Sequence, residues 1–126
     1  MHRGKAALDG GAQYLGGTLE TYGNINASDS LTSIKYWVYD KKKYSLEEVV
    51  NAMNNNFENY ENLRKDMLNA PKYGNDNPYA DDVAVELHEY VCKKVSEQAE
   101  INGFDSYNVV IINNQVNTEW GRMTSA

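Results

Sequence analysis

Tyr107-Asn108-Val109-Val110-Ile111-Ile112-Asn113-Asn114 decides the fold class. Four consecutive β-branched residues without polar alternation specify a strand covered on both faces. Double cover is the condition of strands in α/β sheets and barrels, so the chain reads as a helix-rich α/β protein. The polar cluster Asn113-Asn114-Gln115-Val116-Asn117-Thr118 then stands at the C-terminal end of that strand. Ligand-binding groups of α/β sheets and barrels concentrate at this end. The amides of Asn113, Asn114 and Asn117 are therefore the candidate substrate-binding groups, suited to hydrogen bonding a polyol, an amide or a carboxylate. The competing reading is a polar loop that caps the strand end. From Gln115 to Ala126 there is no helical period.

Working back from the strand, the chain becomes helical. Ala80, Val83, Ala84, Leu87, Val91, Val95 and Ala99 recur at helical spacing, which predicts a long helix over 78–102. Pro78 suits its first turn, Asp76 or Asn77 its cap, and Asp81 and Asp82 the positive end of its dipole. Gly103 suits the residue after its end. Upstream, Phe57, Tyr60, Leu63 and Met67 predict a helix that stops before Pro71. Ser45-Leu46-Glu47-Glu48 is a capping box, followed by Val49, Val50 and Met53; Asn54-Asn55-Asn56 ends that helix. Asn26-Ala27-Ser28-Asp29 offers caps to a fourth helix on Leu31, Ile34 and Val38. Tyr36, Trp37 and Tyr39 make it aromatic on more than one side, the mark of a helix with several neighbours. Lys41-Lys42-Lys43 ends it and reads as a solvated loop.

The first 26 residues carry Gly4, Gly10, Gly11, Gly16, Gly17 and Gly23, which read as loops around one short strand over Ala12–Leu19. The glycine pairs match neither the dinucleotide fingerprint nor the phosphate loop, which needs Gly-Lys-Ser/Thr; they read as tight turns and close backbone packing.

Composition bounds the function. The 126 residues fit one segment with no internal boundary, and Leu, Ile, Val and Phe supply only 25 of them, a thin core. Sixteen Asn and ten Tyr stand out. The net charge of −6 concentrates in residues 45–106, which sum to −8 and repel phosphate backbones, so nucleic acid is not an expected partner. No apolar run approaches a membrane span, and the polar, glycine-containing start is not that of a signal peptide. One cysteine, Cys92, permits no intrachain disulfide and fits a reducing, cytoplasmic setting. Cys92 reads as a buried thiol, and His88 as the solvated side of a helix. Neither His2 nor His88 has a partner at a zinc spacing, so no metal site is expected. A hydrolase reading fails for want of a nucleophile elbow and an oriented base.

Three stretches together resemble a family. They are Arg3-Gly4-Lys5 with Gly10-Gly11-Ala12-Gln13-Tyr14; Asp29-Ser30-Leu31-Thr32-Ser33-Ile34-Lys35 with the helices after it; and Leu68-Asn69-Ala70-Pro71-Lys72-Tyr73-Gly74-Asn75-Asp76 with Asp81. In order and spacing the chain is similar to the pyruvate formate-lyase-like glycyl radical enzymes, and Pro71–Asp76 is the most specific piece. Gly121-Arg122-Met123-Thr124-Ser125-Ala126 resembles the approach to that family's Pro-Asp-Gly-Arg turn.

The resemblance implies a partial segment of a ten-stranded α/β barrel, about four helices and one or two short strands. It implies an anaerobic parent of the formate acetyltransferase, dehydratase, lyase or decarboxylase kind. The parent would carry a glycyl radical, installed by an iron–sulfur, S-adenosylmethionine-dependent activating enzyme, and a thiyl cysteine that abstracts hydrogen from a small-molecule substrate. The implied partners are the rest of the parent barrel, the activating enzyme and that substrate. No Arg-Val-x-Gly-Tyr-like motif is present, and Cys92 is followed by Lys93 and Lys94 where lyase-type members have a carboxylate two residues on. No catalytic residue is therefore carried onto this chain, Met1 reads as an internal methionine, and the isolated segment is expected to be inactive. The alternative is a free-standing, acidic, helix-rich binding module.

Overall fold

The computed structural model describes residues 4–111, 118 and 121–123. Asn113, Asn114 and Asn117 lie outside the described residues. Backbone contacts divide the chain into two units: residues 23–87 with the described C-terminal residues, and residues 4–22 with 88–111. Among the described residues there are four α-helices and one pair of strands. Among the described residues no helix is long and apolar enough to cross a membrane.

In the first unit, α1 (Asn24–Ile34) starts two residues before the expected cap, behind Gly23 in the left-handed region at φ 75°. Its buried stripe differs from the expected one. Ser28, Thr32 and Ser33 are buried, whereas Leu31 is 47% exposed. Small hydroxyl residues let another backbone approach closely, and Ser33 Oγ donates to the Met67 carbonyl at 3.0 Å. Beyond Ile34 the helix widens into a π-helical stretch, Lys35–Asp40, closed by Lys41 N–H donating to the Tyr36 carbonyl. Lys42, at φ 51°, ends it within the lysine triplet.

The predicted capping box is present. Glu48 N–H donates to Ser45 Oγ at 3.1 Å, Ser45 N–H donates to Glu48 Oε2 at 2.7 Å, and α2 runs Leu46–Asn54. The helix expected from Phe57 begins later, as α3, Glu61–Leu68. Asn56, Phe57 and Asn59 have positive φ, so the chain turns sharply before helix resumes. Phe57 is nevertheless core. It packs with Val49, Ala52 and Leu63, flanked by Val38, Tyr44, Tyr60 and Met67. The periodicity identified a core residue correctly and its backbone wrongly.

Polar bonds tie the aromatic stretch to α3. Trp37 Nε1 donates to the Asp66 carbonyl at 2.7 Å, Tyr44 OH donates to Asp66 Oδ2 at 2.5 Å, and Lys43 pairs with the same oxygen. These two donors hold the Asp66 carboxyl below its usual range. Helix α4 (Pro78–Ile101) starts behind Asn77, whose Oδ1 accepts from Tyr79 N–H at 3.1 Å.

In the second unit, the strand expected over Ala12–Leu19 is displaced to β1, Gly16–Thr21. Residues Ala7–Gly11 form a single wide turn with Gly10 at φ 75°, and the strand begins only where it meets a partner. That partner is β2, Ser106–Ile111, parallel and in register from Gly16 opposite Ser106 to Thr21 opposite Ile111. The α/β class holds, but the expected double cover of β2 does not. Val110 is 40% and Ile111 51% exposed; they point to opposite faces of the strand, and the described residues leave both side chains partly uncovered.

Candidate functional site

The parallel pair is built around two devices. Asp105 N–H donates to the Leu15 carbonyl at 2.8 Å, and Leu15 N–H donates to Asp105 Oδ2 at 2.6 Å. This reciprocal clamp fixes the register one residue before the strands start. Gly17 then provides a notch: a Cβ built there would come 1.7 Å from the Tyr107 ring, so only glycine lets the ring lie over the backbone. Tyr107 also stacks near Phe104, with ring centroids 5.4 Å apart.

Both strands point the same way, so their C-terminal ends lie together, at Thr21 and Ile111. Thr21 Oγ1 donates to the Val110 carbonyl at 3.2 Å and seals that end. Glu20 and Tyr22 are two residues apart and share a face. Tyr22 OH donates to Glu20 Oε2 at 3.3 Å. An acid–phenol pair thus stands at the end of the sheet where the sequence placed the candidate amides. Asn113, Asn114 and Asn117 follow β2 in the chain but lie outside the described residues. Glu20 and Tyr22 were not singled out from sequence. The signal available was the alternation Thr18, Glu20, Tyr22, masked by reading the glycine-rich start as loop.

The Pro71–Asp76 string is held from both sides within the helical unit. Tyr73 N–H donates to Asp29 Oδ1 at 2.8 Å, and Gly74 N–H donates to Asp81 Oδ1 at 3.0 Å. Gly74 sits at φ 78°, which explains a glycine between Tyr73 and Asn75. Lys72 Nζ donates to the Met67 and Ala70 carbonyls at 3.2 and 3.0 Å, capping the negative end of α3; partial burial lowers its pKa. Further on, Tyr79 OH donates to Asp40 Oδ2 at 2.5 Å while Lys35 lies 3.9 Å from the Tyr79 ring centroid. Burial, then the Asp40 bond, pushes the Tyr79 phenol up. These contacts position a loop and a helix start; none presents a reactive group.

His88 is half-buried, not on the solvated side, and its Nε2 lies 3.5 Å from Cys92 Sγ, one helical turn away. Cys92 is half-buried rather than enclosed. Among the described residues no group of three or more His, Cys, Asp and Glu side chains is placed to hold a metal ion. An iron–sulfur cluster needs several thiolates and a glycyl radical needs its glycine motif, so the residues present do not fit either group. A shallow groove of about 350 Å³ lies over the α2–α3 turn, lined by Asn56, Phe57, Glu58, Glu61 and Arg64.

The family model described as pyruvate formate lyase-like matches residues 1–121. The trans-4-hydroxy-L-proline dehydratase of Clostridioides difficile is 36% identical over 104 residues, 82% of this chain and 13% of that protein. The (2S)-3-sulfopropanediol dehydratase of Klebsiella oxytoca is 37% identical over 99 residues, 76% of this chain and 12% of that protein. The isethionate sulfite-lyase of Bilophila wadsworthia is 39% identical over 71 residues, 56% of this chain and 9% of that protein. The chain therefore spans about an eighth of the length of the first two relatives.

Proposed function

The chain belongs to the pyruvate formate lyase-like family, and on that premise we propose that it is a wall segment of a glycyl radical dehydratase or lyase acting on a hydroxyl-bearing small molecule. The observation that carries this reading is the match to two dehydratases over 76–82% of the chain, at 36–37% identity. Both relatives are named for a hydroxylated substrate, one a hydroxyproline and one a diol. The polar end of the β1–β2 pair suits such a substrate better than an apolar one.

The radical chemistry belongs to parts of the parent beyond these 126 residues. When installed, the glycyl radical supplies a hydrogen-abstracting centre. This chain's own residues supply the wall. The Asp105–Leu15 clamp and the Gly17 notch set the strand register, and Asp29 and Asp81 fix the Pro71–Asp76 loop. The parent is a cytoplasmic, anaerobic enzyme that an iron–sulfur, S-adenosylmethionine-dependent partner activates, and the segment alone has no activity.

A free-standing binding module would cover its apolar residues. Here Leu46, Val50 and Met53 form an exposed stripe on α2, beside buried Val49 and Ala52. Sequencing the flanking DNA tests the proposal. The expected result is one uninterrupted frame encoding a cysteine with a carboxylate two residues on upstream, and an Arg-Val-x-Gly-Tyr-like motif downstream. Stop codons close on both sides would contradict it.

A further inference from the structure

Alternation along the register sorts the strand pair into two unlike faces. Gly17, Leu19, Thr21, Tyr107, Val109 and Ile111 share one face, which is apolar except at Thr21. Thr18, Glu20, Ser106 and Asn108 share the other, and Tyr22 continues that face beyond the end of β1. Val110 is the apolar exception on it. In this chain Thr18, Glu20, Tyr22, Ser106 and Asn108 are exposed; in a parent that covers both sides of the sheet, burying such hydroxyl, amide and carboxylate groups without partners is costly. The polar face must therefore meet polar matter, either bulk water or a ligand in a cavity. Its acidic, phenolic end lies at the C-terminal ends of parallel strands, where ligands of α/β folds bind.

We infer that this polar face lines the parent's substrate cavity, with Tyr22 touching a hydroxyl or ammonium group of the substrate and Glu20 positioning Tyr22; the inference rests on the glycyl radical enzyme reading above. The direction of the existing bond sets the chemistry. Tyr22 gives its proton to Glu20 Oε2. The phenol oxygen is thereby aimed as an acceptor, and the carboxylate adds negative charge beside it. Both acceptors favour a substrate hydrogen-bond donor and disfavour a sulfonate or carboxylate at this end of the site. The substrate's anionic group is then bound elsewhere.

The test uses the full-length parent with its radical installed, as wild type, Tyr22→Phe and Glu20→Gln. Trans-4-hydroxy-L-proline and (2S)-3-sulfopropanediol are the probes. Electron paramagnetic resonance reads the glycyl radical, and steady-state kinetics reads KM and kcat separately. Tyr22→Phe should keep the radical and raise KM about ten-fold for the probe consumed, the loss of one substrate hydrogen bond. Glu20→Gln keeps an acceptor for the phenol and should raise KM less, about three-fold. Unchanged KM in both variants, with the radical intact, would overturn the inference and assign this face to solvent. Loss of radical and turnover together in Tyr22→Phe would mark a structural role and also overturn it. A radical-bearing wild type that consumes neither probe removes the hydroxylated-substrate premise, and the inference with it. A wild type that never forms the radical overturns the parent-enzyme reading itself.

Discussion

The helical unit and the strand unit solve the same thin-core problem differently. In residues 23–87, α2, α3 and the turn between them enclose Val49, Ala52, Phe57 and Leu63, and polar bonds from Ser33, Trp37 and Tyr44 reach α3. Few apolar residues suffice because side-chain hydrogen bonds and small hydroxyl residues close the gaps. The strand pair has its register devices but little cover, with Val110 and Ile111 open. One region is organised by its own contacts; the other carries instructions for pairing and waits for neighbours. That contrast is what a segment of a larger wall should show.

The largest expected effect breaks the helical side of the contrast. Leu63→Ala removes a core side chain and should destabilise that unit by about 2–5 kcal/mol, read as a lower urea midpoint in helical circular dichroism. Next, Gly17→Ala forces the Tyr107 ring aside. A cost of about 1–3 kcal/mol is expected, confined to the strand pair and visible as faster amide exchange at residues 106–111 in the full-length parent, where the strands are protected. If Gly17→Ala instead lowered the helical midpoint, the independence of the two regions would fail. Ser45→Ala removes the cap acceptor of α2 and should cost about 1 kcal/mol in the helical unit alone.

The smallest effect is acid sensitivity at Asp66. Its folded pKa is depressed by the Lys43 and Tyr44 hydrogen bonds. The stabilisation is therefore complete above the unfolded carboxyl value of about 3.9 and fades as pH falls through the folded one. Asp66→Asn should flatten this acid loss, measured as the pH dependence of the helical midpoint. An unchanged pH profile would remove Asp66 from the network.

The sequence made the helical unit legible where local chemistry decides. The Ser45–Glu48 box, the Asn77–Pro78 start and the Pro71 stop are each read from a few neighbouring residues, and each stands. It misled where long-range partners decide. Nothing near Leu31 tells that Ser28, Thr32 and Ser33 take the buried side; the partner of Ser33 lies on α3. Nothing near Phe57 tells that its apolar spacing belongs to a turn. The start of β1 depends on Asp105, ninety residues away in sequence. For the site, the strand end was legible from Val109–Ile112, whereas Glu20 and Tyr22 emerged only once β1 was paired in register. Asn113, Asn114 and Asn117 remain proposals for the same end.

Hydrogen exchange compared between the isolated chain and the full-length parent tests the central claim most directly. Residues 61–68 and 46–54 should be protected in both. Residues 16–21 and 106–111 should exchange almost freely in the isolated chain and become strongly protected in the parent. Equal, strong protection of the strands in the isolated chain would contradict the account and identify a self-sufficient module.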